Sequence, residues 1–172
     1  MSIKGKRVAF LGAGNMGEAL IKGLTQTGLV PAGSITASDP RADHLGQVAK
    51  RYGIKAVGDN VALVSGADVI ILAVKPQIMA AVLKEIASVV DEGKLLVSIA
   101  AGVATKKLRE QLGRPARLIR VMPNTPALVL EGVTAIARAE GLRPGDLEAA
   151  QELFAAVGQR LDRDRNIGRA RA

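Results

Sequence analysis

The stretch that most constrains this chain is residues 8–17, VAFLGAGNMG. An apolar run from Val8 to Leu11 stops abruptly at a Gly-x-Gly-x-x-Gly turn, and amphipathic sequence follows through about Thr27. A strand that empties into a glycine turn and then a helix is the opening of a β-α-β unit. In that setting Gly12 permits the tight turn, Gly14 lets backbone approach a pyrophosphate, and Gly17 brings the helix close to the strand. Ala13, Asn15 and Met16 complete the loop. Its amides and the helix dipole favour an anion. Taken alone, the same pattern also fits a plain strand–helix turn, so the rest of the chain has to decide.

The remaining sequence repeats the alternation. Strands are expected at 34–38, 55–57, 68–74, 95–99 and 117–122, with a further strand at 133–138 on one edge and a short one at 158–161. Between them, helices are expected at 16–27, 40–52, 60–66, 76–90, 105–112 and 145–157. Gly28 is read as the C-cap of the first helix, and Gly53 stops the second. Asp39 is read as the N-cap of the second helix with Pro40 at its first position, and Asn60 as the cap of the third. DVIILAV at 68–74 is continuously apolar, as a strand buried on both faces should be. The β-α-β-α order calls for a doubly wound, mostly parallel sheet with helices on both faces, the Rossmann type of α/β fold. One domain is expected over 1–162. The arginine-rich end, 163–172, has no apolar periodicity and reads as a loose basic tail.

Composition narrows the chemistry. Apolar residues make up 48% of 172, enough to build a core. The aromatics are Phe10, Tyr52 and Phe154 alone, too few for a platform on which single-stranded bases stack. Cysteine is absent and His44 is the one histidine, which rules out disulfides, thiolate sites and a multi-histidine centre. His44 itself reads as an exposed helix residue. Of a net charge of +8, about +3 lies in the arginine-rich end; the diffuse remainder of about +5 over residues 1–159 suits an anionic small ligand and only weakly nucleic acid, which is not expected because no aromatic-interleaved motif accompanies the charge. No run reaches the roughly 18 apolar residues of a membrane span. Lys4, Lys6 and Arg7 imitate a signal peptide, but the apolar run after them is short and turns into glycines. A cytoplasmic protein is expected.

In a doubly wound sheet, ligands bind beyond the carboxyl ends of the strands. After the second strand stand Ser38, Asp39, Pro40 and Arg41. An acid there ordinarily bonds the adenosine ribose, and an arginine accommodates a 2′-phosphate. Both types are present, and Asp39 has the competing capping role, so NAD and NADP remain alternatives at this point. Lys75, at the end of DVIILAV, is placed to face a phosphate or a carboxylate, or else is simply solvated. Ala100, Ala101 and Gly102 leave room for a flat ring, or form a packing turn. Asn124 offers an amide between Pro123 and Pro126, or caps its own turn. Ser98 has no histidine or acid placed to make it a nucleophile.

Four motifs carry a family resemblance. FLGAGNMG, AVKPQ, VSIAAGV and RVMPNTP, in this order, resemble the pyrroline-5-carboxylate reductases over about residues 5–161. AVKP and MPNTP are far more specific than the glycine turn. The resemblance implies NAD(P)H-dependent reduction of a cyclic imino acid, 1-pyrroline-5-carboxylate, to L-proline, commonly with NADPH. It implies that Gly12, Ala13, Gly14, Asn15, Met16 and Gly17 hold pyrophosphate. Ser38, Asp39 and Arg41 would meet the adenosine ribose, and Asn60 would lie near the adenine end. Ala73, Val74, Lys75 and Pro76, with Ala100, Ala101 and Gly102, would line the nicotinamide side, and Asn124 and Thr125 would border the substrate.

The family also has a helical dimerisation domain that supplies the substrate carboxylate site and forms homo-oligomers. This chain stops before it, and RDRNIGRARA does not match the expected entry into it. No catalytic residue is therefore assigned, and the chain alone is expected to bind dinucleotide but to reduce the imine poorly or not at all. The alternatives are a related oxidoreductase of the F420-dependent or β-hydroxyacid type, and a non-catalytic dinucleotide-binding module.

Overall fold

A computed structural model describes residues 2–137 and 141–161. The expected tail at 163–172, residue 162 at the expected domain end and Arg138 of the expected edge strand lie outside the described residues. The elements alternate as anticipated: β1 (Val8–Leu11), α1 (Asn15–Gln26), β2 (Ile35–Ser38), α2 (Ala42–Tyr52), β3 (Lys55–Ala56), α3 (Asn60–Ser65), β4 (Val69–Leu72), α4 (Pro76–Ile86), β5 (Leu95–Ser98), α5 (Thr105–Leu112), β6 (Arg117–Pro123), β7 (Gly132–Ala137), α6 (Asp146–Ala155) and β8 (Gly158–Leu161).

The eight described strands form one sheet in the order β3-β2-β1-β4-β5-β6-β7-β8. Neighbours from β3 to β6 are parallel, β7 runs antiparallel to β6, and β8 is parallel to β7. β7 is therefore interior, not the edge expected from its sequence; β8 covers it.

Side chains alternate across the pleat and separate two cores. Val8, Phe10, Val69, Ile71, Leu95 and Val97 face one core, which Leu20 and Leu24 of α1, Val48 of α2 and Leu153 and Phe154 of α6 complete. Ala9, Leu11, Ile70, Leu72 and Leu96 face the other, with Val64 of α3, Met79 and Leu83 of α4 and Leu108 of α5. A strand buried on both faces needs a continuous apolar run, and VAFL and VIIL supply it at full burial.

The helix ends correct three expectations. Asp39 does not cap α2. That helix starts later, its N-cap is Arg41, and no side chain bonds its first turn. Pro40 accordingly precedes the cap. The cap of α3 is Asp59, whose Oδ1 accepts from the amides of Val61 and Ala62 at 2.8 and 3.0 Å, and Asn60 is the first helical residue. The C-cap of α1 is Thr27, one residue before Gly28, which takes the left-handed conformation that ends the helix. Pro76 does stand in the first turn of α4, which ends at Ile86 and passes into a 3-10 turn at Ala87–Val89.

β1 pairs with β2 on one side and with β4 on the other. The chain leaves β1 and β4 toward opposite flanks, so a crevice opens at their carboxyl ends. The glycine turn sits there.

Candidate functional site

Gly12 follows β1 with φ +101°, and its amide donates to the Ser38 carbonyl at 2.9 Å. A Cβ on Gly12 would lie 2.8 Å from the Ala73 carbonyl oxygen, so the turn rests directly on the end of β4. A Cβ on Gly17 would lie 2.5 Å from the Gly12 carbonyl oxygen, so α1 can start only if this position is glycine. α1 has Gly14 as N-cap with no side-chain bond, which leaves its first-turn amides without an intrahelical or capping partner.

Around this turn opens a cleft of about 650 Å³. It is lined by Gly12, Gly14, Asn15 and Met16 from the turn, Asp39 and Arg41 after β2, Ala73, Val74, Lys75 and Pro76 after β4, and Ala100 and Ala101 after β5. Four separate sequence segments thus converge on one cavity. Pro40, Ile78 and Ile99 also line it. Ile78, 44% exposed, carries an apolar side chain to the cleft from the first turn of α4.

The remaining expected residues sit differently. Ala13 is fully buried and Gly17 lies beneath the turn, so both support the cleft and do not line it. Gly102 is exposed at φ +73°, just past the lining residues. Ser38 and Asn60 meet beside the cleft. The Ser38 hydroxyl donates to Asn60 Oδ1 at 2.7 Å, and Asn60 Nδ2 donates to Glu85 Oε2 at 2.9 Å, linking β2, α3 and α4. Asn124 does not line the cleft. Its Oδ1 accepts from the Val133 amide at 2.8 Å and closes the β6–β7 loop, in keeping with the turn-capping alternative. Thr125 opens the 3-10 turn Thr125–Val129. Ser98 is fully buried and its Oγ accepts from the Ala100 amide at 3.4 Å, a turn-forming role.

Electrostatics concentrate at residues 39–44. Burial disfavours a charged Asp39 carboxylate, but hydrogen bonds from the Arg41 side chain and from the Arg41 and Ala13 amides outweigh it and hold the carboxyl below its ordinary range. The same hydrogen bond raises the Arg41 guanidinium. His44, expected to be exposed, is half-buried, and its Nε2 lies 2.7 Å from the Ala13 carbonyl oxygen. With Nε2–H donating, both backbone polar groups of Ala13 are held by residues after β2: its N–H donates to Asp39 Oδ2 at 3.1 Å and its carbonyl accepts from His44. No local sequence signal could reveal this, because the partners are 26 and 31 residues apart. Lys75 is exposed at the opposite lip, and no ion pair among the described residues engages it.

A second hollow of about 480 Å³ lies at the amino end of β6, beside Arg117 and Arg143. Arg117 is paired with Asp146 at 2.7 Å and Arg143 with Glu92 at 3.2 Å. Among the described residues no cluster of three metal-ligating side chains occurs, and no helix is long and apolar enough to cross a membrane.

The strand order and a glycine turn at the switch point define the class: an α/β domain of the Rossmann type. More particularly, the chain belongs to the family described as NADP oxidoreductase, coenzyme F420-dependent, whose model matches residues 7–102.

The motif resemblance to pyrroline-5-carboxylate reductase is borne out. The chain is 43% identical to the pyrroline-5-carboxylate reductase of Pseudomonas aeruginosa over 152 residues, which are 88% of this chain and 55% of that protein. It is 39% identical to the Escherichia coli enzyme over 90% of this chain and 57% of that one. Among solved structures, the reductase of Coxiella burnetii superposes with a TM-score of 0.87 at 30% identity, covering 91% of this chain and 58% of that one. The Plasmodium falciparum pyrroline carboxylate reductase, solved with NADP bound, superposes at 0.82 with 28% identity, covering 92% and 58%. The chain thus spans little more than half the length of these relatives.

Proposed function

We propose that this chain is the dinucleotide-binding part of a pyrroline-5-carboxylate reductase, a cytoplasmic enzyme that reduces the cyclic imine of 1-pyrroline-5-carboxylate to L-proline with NADPH or NADH. The observation that carries the reading is the single cleft on which the glycine turn, the AVKP segment and the small-residue turn converge, in a chain 39–43% identical to such reductases. The domain would run over 1–162.

The cavity fits the cofactor. Backbone without side chains faces it at Gly12 and Gly14, and the open first turn of α1 suits a diphosphate. Asn15 and Met16 would contribute amides to the pyrophosphate, held in place from below by Ala13 and Gly17. Ser38, Asp39 and Arg41 would border the adenosine ribose, and Asn60 would position Ser38. Ala73, Val74, Lys75 and Pro76 with Ala100, Ala101 and Gly102 would lie along the nicotinamide, and Asn124 and Thr125 would border the substrate. When bound, the reduced nicotinamide supplies the hydride. The protein's own part is to orient that ring along the 100–102 turn and to shield it from water with Val74, Ile78 and Ile99.

The substrate carboxylate site and the homo-oligomer contacts of the resembling family would come from a domain outside this sequence. Purified chain should therefore bind NADPH and oxidise it slowly or not at all with 1-pyrroline-5-carboxylate, followed by loss of nicotinamide absorbance. Proline formation at the rate of a full-length reductase would refute this division of labour. A second reading, an NADP oxidoreductase acting with a deazaflavin, is favoured by the description of the family model. Turnover with coenzyme F420 and none with the imine would select it.

A further inference from the structure

The hollow at the amino end of β6 shares no lining residue with the dinucleotide cleft. Its volume is about 480 Å³, and its charged lining is three arginines and one acid. The arginines come from three separate elements: Arg109 from α5, Arg117 from the first position of β6, and Arg143 from the turn before α6. Guanidinium charges gathered in this way repel one another unless acceptors stand among them.

Part of that compensation is fixed. Arg117 Nη1 donates to Asp146 Oδ1 at 2.7 Å, and Nη2 donates to the Gly93 carbonyl at 2.6 Å. The Arg117 side chain is only 7% exposed. Its Nε is nevertheless buried with no acceptor among the described residues. An orphaned buried donor on a charged group is rare in a folded protein, and a water or ion that completes the site is a usual reason for one.

The rest of the compensation is loose. Glu92 meets Arg143 at 3.2 Å, with side chains 79% and 53% exposed. A pair this open to water holds weakly and can part. Glu92 also shows what the hollow accepts, since its planar carboxylate already sits on a guanidinium. A Cβ on Gly141 would lie 3.8 Å from Arg109 Nη2, so the third guanidinium reaches the 141–143 segment across space that a glycine leaves open. The volume exceeds what one carboxylate fills.

We propose that this hollow binds a small organic dicarboxylate, one carboxylate displacing Glu92 from Arg143 and the other set beside Arg117 and Arg109. The ligand is not the dinucleotide, and the inference stands or falls independently of the function proposed above.

The test is amide chemical-shift mapping of the full 172-residue chain during titration with succinate, acetate and inorganic phosphate at constant ionic strength. The native protein is compared with Arg143→Ala, Glu92→Gln and Lys50→Ala, with circular dichroism as the folding control. Lys50 is exposed in the last turn of α2, outside the hollow, and its loss removes the same charge as the loss of Arg143. In the native chain succinate should give saturable shifts at Glu92, Ala116, Arg117, Gly141 and Arg143, with acetate and phosphate at least about tenfold weaker. Arg143→Ala should weaken succinate about tenfold. Glu92→Gln should tighten it about two- to fivefold, a gain that no loss of fold could produce. Lys50→Ala should change it by less than about twofold. The proposal is overturned by an absence of saturable shifts in the hollow or by shifts confined to residues 13–17. It is equally overturned by acetate or phosphate binding as tightly as succinate, by unchanged affinity in Glu92→Gln, or by equal weakening in Lys50→Ala and Arg143→Ala.

Discussion

Replacing Gly12 by alanine should damage stability and binding together, because the glycine is demanded twice. Its φ of +101° is a conformation that costs a residue with a Cβ about 1–3 kcal/mol. The new methyl would also stand 2.8 and 2.9 Å from the carbonyl oxygen and carbon of Ala73, which are backbone atoms. They cannot swing aside as a side chain would. Ala73 is fixed by its N–H, which donates a hydrogen bond to the Leu11 carbonyl oxygen at 2.9 Å, and β4 is central in the sheet. Forced contact with such a wall costs about 1–3 kcal/mol more. The sum is roughly 2–6 kcal/mol, and at about 2–4 °C per kcal/mol for a chain of this size it lowers Tm by roughly 5–20 °C. Thermal melts by circular dichroism measure this.

Gly46→Ala is the control. Gly46 lies within α2, exposed, with nothing within 4 Å of the added methyl. That change should raise stability by about 0.5–1 kcal/mol. If Gly12→Ala melts within about a degree or two of the native chain and binds NADPH unchanged, the reasoning about the turn is wrong.

Three further outcomes follow from other sites. Asp146→Ala leaves Arg117 buried without its ion partner, since the two side chains are 0% and 7% exposed and bonded at 2.7 Å; a loss of about 3–5 kcal/mol in urea unfolding is expected. His44→Ala removes the donor on the Ala13 carbonyl and should weaken NADPH binding roughly two- to tenfold, with His44→Gln restoring part of it. Asp39 and Asp68 are both held below the usual carboxylate range, Asp68 chiefly by the Arg7 side chain. A carboxyl depressed in the folded state stabilises above its unfolded pKa, and that stability is lost as the pH falls through the folded value. Melting temperature should therefore drop on acidification below about pH 4, and Asp68→Asn should flatten part of that drop.

Much of this architecture was legible because the signals are local. VAFL, VIIL and LLVS are apolar on both faces, and each is followed by glycine, proline or small residues that end it. Pairing is not local. GVTAIA looked like an edge strand, yet it lies between β6 and a short strand whose partner is chosen by the whole sheet. The helix caps failed by one or two positions where two capping residues stand side by side, as at Asp59 and Asn60. Asp39 failed for a different reason. Its carboxylate had a choice between the nearby helix amides and the Ala13 amide 26 residues away, and took the distant one together with Arg41. His44 gave no sign at all, since a lone histidine on a helix says nothing about a carbonyl brought to it by the fold. The grouping of the 12–17, 73–76 and 100–102 segments was predictable from the rule that ligands gather at strand carboxyl ends. Asn124 obeys the same rule in placement, but its side chain is spent on β7.

The central claim is that a dinucleotide lies across those three segments. Amide chemical-shift mapping of the 17.9 kDa chain during NADPH titration tests it most directly. Saturable shifts should appear at Ala13, Asn15, Met16, Gly17, Val74, Lys75, Ala100, Ala101 and Gly102, and not at Arg143 or Gly141 in the hollow at the other end of the sheet. No saturable shifts, or shifts confined to that hollow, would contradict the account.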